Sequence, residues 1–207
     1  MQDLVVMVEM QPDNEKLQQW WKLTLNNDTV AFGSIHASLF SGLYNYAVKL
    51  LNDEELADDA VQELFIKIWN KRSSINNIQK VKPYFYTVFR RQVLNQLRDI
   101  KLRNLRISMM TQPDIEFSQE EIVIKNEADA GLKEKVLKLI NTLPERQREV
   151  IYLHYFENMT MTQIAEIMKI NTQSAMNIKQ RALQKMRSAN LLSFFLLLCA
   201  IHQAAKF

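Results

Sequence analysis

The stretch TQIAEIMKINTQSAMNIKQRAL, Thr162 to Leu183, carries two short apolar periodicities with a bend between them. Ile164, Ala165, Ile167 and Met168 recur at helical spacing on one face of the first segment; Ala175, Ile178, Ala182 and, just beyond, Met186 do so on the second. Asn171 suits the N-cap of the second helix, which places the turn at Met168 to Ile170 and matches the short bend of a helix-turn-helix. Ala165 and Ala175 are small enough for the two helices to cross closely. No glycine occupies the turn, so Lys169 must take it, at a cost of about 1 kcal/mol for a left-handed residue with a Cβ. Away from the packed face lie Thr172, Gln173, Ser174, Asn177, Gln180, Arg181 and Gln184. Amide and hydroxyl side chains can read base edges, while Lys179, Arg181, Lys185 and Arg187 can meet phosphates. The pattern alone does not separate a DNA reader from an ordinary close helix pair with a polar outer face.

Upstream, Thr160 and Gln163 have the spacing of a capping box. Leu132 to Asn141 reads as helix, Pro144 suits the first turn of the next, and Val150, Ile151, Leu153 and Tyr155 are available for packing. Residues 132–188 therefore read as a domain of four or five short helices.

With three glycines and four prolines in 207 residues, against abundant Leu, Ile, Met, Lys, Gln and Glu, strong helix formers dominate and hairpin turns are scarce. The chain reads as all-α, long enough for two small domains, with no repeat period. The single cysteine, Cys199, excludes an internal disulfide and a cysteine-based zinc cluster and points to a reducing compartment. MQDLVVMVEM has no basic segment before its apolar residues and no small-residue cleavage site, so it does not read as a signal peptide; a cytoplasmic location is expected. A net charge of +3 favours no partner by itself.

Residues 1–15 read as an N-terminal extension and 16–106 as a first domain. WWKLTLNNDTVAFGSIHASLFSGLYNYAVKLL supplies two amphipathic segments; NDEE opens another helix, with Asn52 as expected N-cap and Glu55 in the capping-box place. In the following helix Ala57, Ala60, Val61, Leu64, Phe65, Ile68 and Trp69 form one apolar stripe, and Asp58, Asp59, Gln62, Glu63 and Lys67 lie opposite. Acids in a helix's first turns favour the macrodipole, so on residue grounds this cluster is a solvated helix start. After the polar loop SSINNIQKVK, a helix with Pro83 in its first turn carries Tyr84, Phe85, Tyr86 and Phe89, then Arg90, Arg91, Arg98, Lys101, Arg103 and Arg106 against Asp99 alone. From 107 to 131 acids replace bases and Pro113 interrupts, the composition of a flexible acidic linker.

ELADDAVQELFIKIWNKR, VKPYFYTVFRRQVLNQLR and LPERQREVIYLHYFENMTMTQIAEIMKI, in this order, resemble the extracytoplasmic-function (group IV) sigma factors of bacterial RNA polymerase, over about residues 17–188. The resemblance implies two helical domains. Region two binds core RNA polymerase and melts the minus-ten promoter element; region four reads the minus-thirty-five element through its helix-turn-helix. Asp58, Asp59, Gln62 and Glu63 match the family's DAxQExF signature and would contact the polymerase coiled coil. Arg90, Arg91, Asn95, Arg98 and Lys101 would lie against minus-ten DNA, supplying salt-dependent affinity. Asn76 and Asn77, in the loop RSSINNIQK, either hold a flipped base or belong to an ordinary polar loop. In region four Thr172, Gln173, Ser174, Asn177, Lys179, Gln180, Arg181 and Lys185 are the expected minus-thirty-five contacts. The recognition helix departs from a common family version: Ala175, Met176 and Lys179, with Ile178 adjacent, replace Val, a base and Leu.

The run LLSFFLLLCAI, Leu191 to Ile201 in the tail 189–207, falls short of the roughly 20 residues that span a bilayer. It admits three readings: a terminal helix packed on region four, a docking strip for a regulator, or a membrane-surface contact. The resemblance implies an anti-sigma factor as a further partner, often a membrane-bound one. The competing reading is a helix-turn-helix regulator that acts without the polymerase, which leaves residues 52–98 without a purpose. An enzyme has little support: His36, His154 and His202 are scattered and no phosphate loop or nucleophile motif is present. His154 and Glu157 have a ligand spacing without further partners, so no metal, no cofactor, no small-molecule substrate and no catalytic residue are expected.

Overall fold

Asp28 starts the helix around which the first half of the chain is built, its carboxylate accepting from the N–H groups of Val30 (2.9 Å) and Ala31 (3.0 Å). The computed structural model describes residues 14–75, 78–103, 115, 117 and 130–188, and among them every regular element is helical, as the composition predicts. The expectations for residues 1–13, for Asn76 and Asn77, for most of the linker and for the Leu191–Ile201 run lie outside the described residues.

The first four helices are α1 (Asn14–Leu25), α2 (Thr29–Leu51), α3 (Glu54–Lys71) and α4 (Val81–Arg103), with a 3₁₀ turn at Arg72–Ser74. Asn52 does not cap α3 as the sequence suggests. It closes α2 in the left-handed conformation (φ 53°), which asparagine tolerates better than most residues, and Asp53 takes the cap, accepting from Leu56 N–H at 3.0 Å. The apolar stripe of α3 is buried from Ala57 to Ile68, and Trp69 is half-buried with the Arg72 guanidinium 4.0 Å over its ring. Trp21, Tyr46, Phe85, Tyr86 and Phe89 fill the space between the helices. These aromatic rings pack with Ile35, Leu39, Leu43 and Leu50 of α2 and Val61, Leu64 and Ile68 of α3 into one core.

The second set comprises α5 (Ala130–Asn141), α6 (Glu145–Ile151), α7 (Met161–Met168) and α8 (Thr172–Ser188). Pro144 stands one place before the expected first turn, at the N-cap (φ −55°, ψ 144°). A π-helical turn, Tyr152–Phe156, extends α6, with Glu157 N–H donating to the Tyr152 carbonyl at 3.2 Å. The capping box forms as expected: Thr160 N–H donates to Gln163 Oε1 (2.8 Å) and Gln163 N–H to Thr160 Oγ1 (3.3 Å).

The two sets share one core. Helix α4 packs along α7, and the Tyr46 ring stacks on Tyr152 with centroids 5.8 Å apart. Ile115 and Phe117 of the linker are buried, Phe117 against Phe156 (5.3 Å between centroids) and under the Lys49 ammonium (5.1 Å). Asn141 holds this segment on both sides, donating to the Phe117 carbonyl (3.0 Å) and accepting from its N–H (2.9 Å).

Candidate nucleic-acid interface

The bend between α7 and α8 has the geometry the sequence requires. Lys169 is left-handed (φ 52°, ψ 50°), and Asn171 Oδ1 accepts from Ser174 N–H at 2.7 Å. Ile164, Ala165, Ile167 and Met168 are buried where α7 packs on α4 and α8, and α8 buries Ala175, Ala182 and Met186; Ile178 is partly buried. This packing fixes the outward face of α8: Gln173, Asn177, Gln180, Arg181 and Lys185 are exposed, and Thr172, Ser174 and Lys179 half-exposed. Met176 stands among them, 45 % exposed. Gln173 donates to Asn177 Oδ1 (3.0 Å), which steadies two amides on adjacent turns. Lys185 Nζ donates to the Thr142 carbonyl (2.8 Å) and ties the end of α8 to the segment after α5.

On α4, Arg91, Asn95 and Arg98 are exposed at spacings of four and three, so they share one face. Arg98 Nη1 lies 3.4 Å from Asn95 Oδ1. The Lys101 side chain lies outside the described residues. Arg90 points elsewhere. Its Nε and Nη2 donate to Glu149 Oε1 and Oε2 at 2.7 and 2.9 Å, and its side chain is 13 % exposed. Burial pulls the guanidinium pKa down, but the hydrogen bonds and charge of Glu149 more than offset it and leave it above its ordinary value.

The acidic face of α3 is presented to solvent, with Asp59, Gln62 and Glu63 exposed and Asp58 partly so. Gln62 donates to Asp58 at 2.7 Å, and Gln92 of α4 donates to both the Ala60 carbonyl (2.9 Å) and Glu63 Oε2 (3.1 Å). Exposed Ile66 lies beside this face, an apolar group that the charge pattern did not single out.

His154 and Glu157 do not converge on a metal site: His154 Nδ1 is 2.9 Å from the Met159 carbonyl, while Glu157 is buried and accepts from Tyr86 (2.7 Å) and Tyr152 (3.1 Å). Among the described residues no cluster of three or more His, Cys, Asp or Glu could hold a metal, and no helix is long and apolar enough to cross a membrane. Sequence reasoning missed the engagement of Arg90 by Glu149 and of Tyr86 by Glu157. Gly42, one of the two glycines of α2, was the available signal: a Cβ there would stand 2.6 Å from the Tyr86 hydroxyl, whereas Gly33 has open space around it.

Two helical modules, one with Arg91 and Arg98 exposed on α4 and one with a helix-turn-helix, have the make-up of a DNA-binding protein. Residues 37–103 match the profile of sigma-70 region 2, and residues 133–186 match sigma-70, region 4. The chain is 28 % identical over 144 residues to RNA polymerase sigma factor SigV of Bacillus subtilis, covering 70 % of this chain and 81 % of the relative. It is 24 % identical over 155 residues to ECF RNA polymerase sigma factor SigM of the same organism, covering 74 % and 91 %. Among solved structures, CnrH in complex with the cytosolic domain of CnrY shares the fold, with a TM-score of 0.57, 17 % identity and coverage of 84 % of this chain and 96 % of that one. RpoE of Bartonella quintana, solved with the anti-sigma factor NepR, does so with a TM-score of 0.57, 20 % identity and coverage of 78 % and 96 %. The chain belongs to the sigma-70 family, in its extracytoplasmic-function branch.

Proposed function

We propose that the protein initiates transcription as a dissociable subunit of RNA polymerase, with docking and promoter reading divided between its two domains. Asp58, Asp59, Gln62 and Glu63 on α3 dock on core polymerase. Arg91, Asn95, Arg98 and Lys101, joined by Arg90 when it is released from Glu149, lie against the minus-ten element, and the loop holding Asn76 and Asn77 accepts an unpaired base. The outward face of α8 reads the minus-thirty-five element: Gln173, Asn177 and Gln180 are suited to base edges, and Lys179, Arg181 and Lys185 to phosphates. The observation that carries this reading is the packing of α8, which buries Ala175, Ala182 and Met186 and leaves its amides and bases outward.

On this reading it contributes binding rather than catalysis and acts in the cytoplasm, where the polymerase is. A partner of the anti-sigma kind, such as the NepR bound to RpoE, is expected to hold it inactive. Purified chain and core polymerase should co-elute and give run-off transcripts from a library of promoter fragments. Asp59→Ala with Glu63→Ala should abolish co-elution. Arg91→Ala with Arg98→Ala should preserve it and reduce open-complex formation. A chain that ignores core polymerase yet binds duplex operator unaided would replace this reading with that of a stand-alone regulator.

A further inference from the structure

Among the described residues of α8, Met176 alone is a large apolar side chain left exposed, at 45 %, in the company of Thr172, Gln173, Asn177, Lys179 and Gln180. At about 3.6 residues per turn it lies about 60° round the helix from Gln173 and about 40° from Gln180, so these three side chains border one patch. One exposed methionine is ordinary on a protein surface; its position and its neighbours set this one apart. Met176 stands in the second turn of α8, and the first turns of a recognition helix are the part that enters the major groove. Beside it, Gln173 Nε2 donates to Asn177 Oδ1 at 3.0 Å, which holds the two amides in a fixed relation. That bond uses one N–H of Gln173 and leaves its second N–H and its Oε1 to an outside partner.

We propose that Met176 is a specificity-determining residue: its side chain covers the C5-methyl group of a thymine in the minus-thirty-five element, in the base pair next to an adenine held by Gln173. The proposal rests on the function assigned above and deepens it at one position of α8. Thymine is the base that offers a methyl group in the major groove, and an apolar side chain is what recognises it. A lysine or arginine at this position would take a phosphate or the O6 and N7 of guanine; methionine can take neither. Its unbranched, adaptable chain can lie flat over a methyl group. Over guanine O6 or cytosine N4 the same side chain would strip water from a polar group without pairing it, so the contact discriminates as well as binds. Gln173 presents the donor and acceptor that match adenine N7 and N6. Three residues advance about 4.5 Å along a helix, close to the step of about 3.4 Å between base pairs, so the methyl group belongs to the pair adjoining that adenine.

The full chain assembled with core RNA polymerase, on a promoter recovered from the run-off library, provides the test. Each thymine of the upstream element is replaced in turn by deoxyuridine, which keeps the base pairing and removes only the methyl group. At one thymine this should weaken holoenzyme binding about fourfold, the effect of one buried methyl group. With Met176→Ala, the same replacement should have no further effect. Met176→Leu, apolar and of similar volume, should restore most of the preference for thymine. Because the side chain is exposed, the melting temperature of Met176→Ala should match that of the wild type, which separates loss of reading from loss of folding. A scan in which no thymine responds, a response that is the same in Met176→Ala, or a recovered element without thymine overturns the assignment. So does a variant that loses co-elution with core polymerase while its response to deoxyuridine is unchanged, which would make Met176 a protein contact. A wild-type chain that gives no run-off transcript from any fragment sinks the assigned function instead, so the two failures are distinguishable.

Discussion

Adjacent residues on one helix point about 100° apart, and Arg90 and Arg91 show what that rotation decides. The sequence offers both as equal candidates for phosphate contact, whereas the fold gives Arg91 to solvent and Arg90 to Glu149. Arg91→Ala should weaken promoter binding across all sequences and reduce the salt slope by about one, with thermal stability unchanged. Arg90→Ala leaves Glu149 buried with a lost partner and should destabilise the chain by about 3–5 kcal/mol, read in urea melts. His154 is a second case. Partial burial lowers its pKa, with the Met159 carbonyl opposing and Lys179 adding to the shift. A histidine depressed in the folded state contributes stability above its unfolded pKa of about 6.5, lost as pH falls further through its folded value. The melting temperature should therefore drop as the pH falls below about 6.5, and His154→Gln should flatten that slope.

At the scale of the element, end signals decide where a helix stops, and neighbouring polar residues compete for the same role. Asn52 and Asp53 are both good caps, and local pattern cannot rank them. Because α2 ends in a left-handed residue, Asn52 is consumed there and Asp53 is left to start α3. Asp53→Ala should cost about 1 kcal/mol in chemical denaturation, whereas Asn52→Gly should be neutral or slightly stabilising. The reverse order would restore Asn52 as the cap. The helix-turn-helix was legible down to its cap and bend because Thr160, Gln163, Lys169 and Asn171 act within a few residues of one another. The π turn at Tyr152–Phe156 was not, since widening a single turn is set by what its side chains must reach, and Glu157 beyond it reaches another domain.

In the whole molecule, the linker residue Phe117 lies where Lys49, Tyr152 and Phe156 meet. A shared core couples the domains, so the chain should unfold in one transition. Phe117→Ala, which removes a buried ring worth about 3–5 kcal/mol, should split calorimetric unfolding into two transitions near the stabilities of the separate domains. A single, merely lowered transition would mean that the coupling runs elsewhere along the α4 and α7 contact.

The sequence by itself determined the helices, the buried stripe of α3, the bend before α8 and the face that α8 turns outward. These follow from spacings of three and four residues and from caps that act within one turn. Only the tertiary structure decided that Glu149 is buried on Arg90, that Glu157 lies against Gly42 and that Phe117 joins two domains. Those partners are 59, 115 and tens of residues apart along the chain, and no local periodicity records a contact made across such a separation.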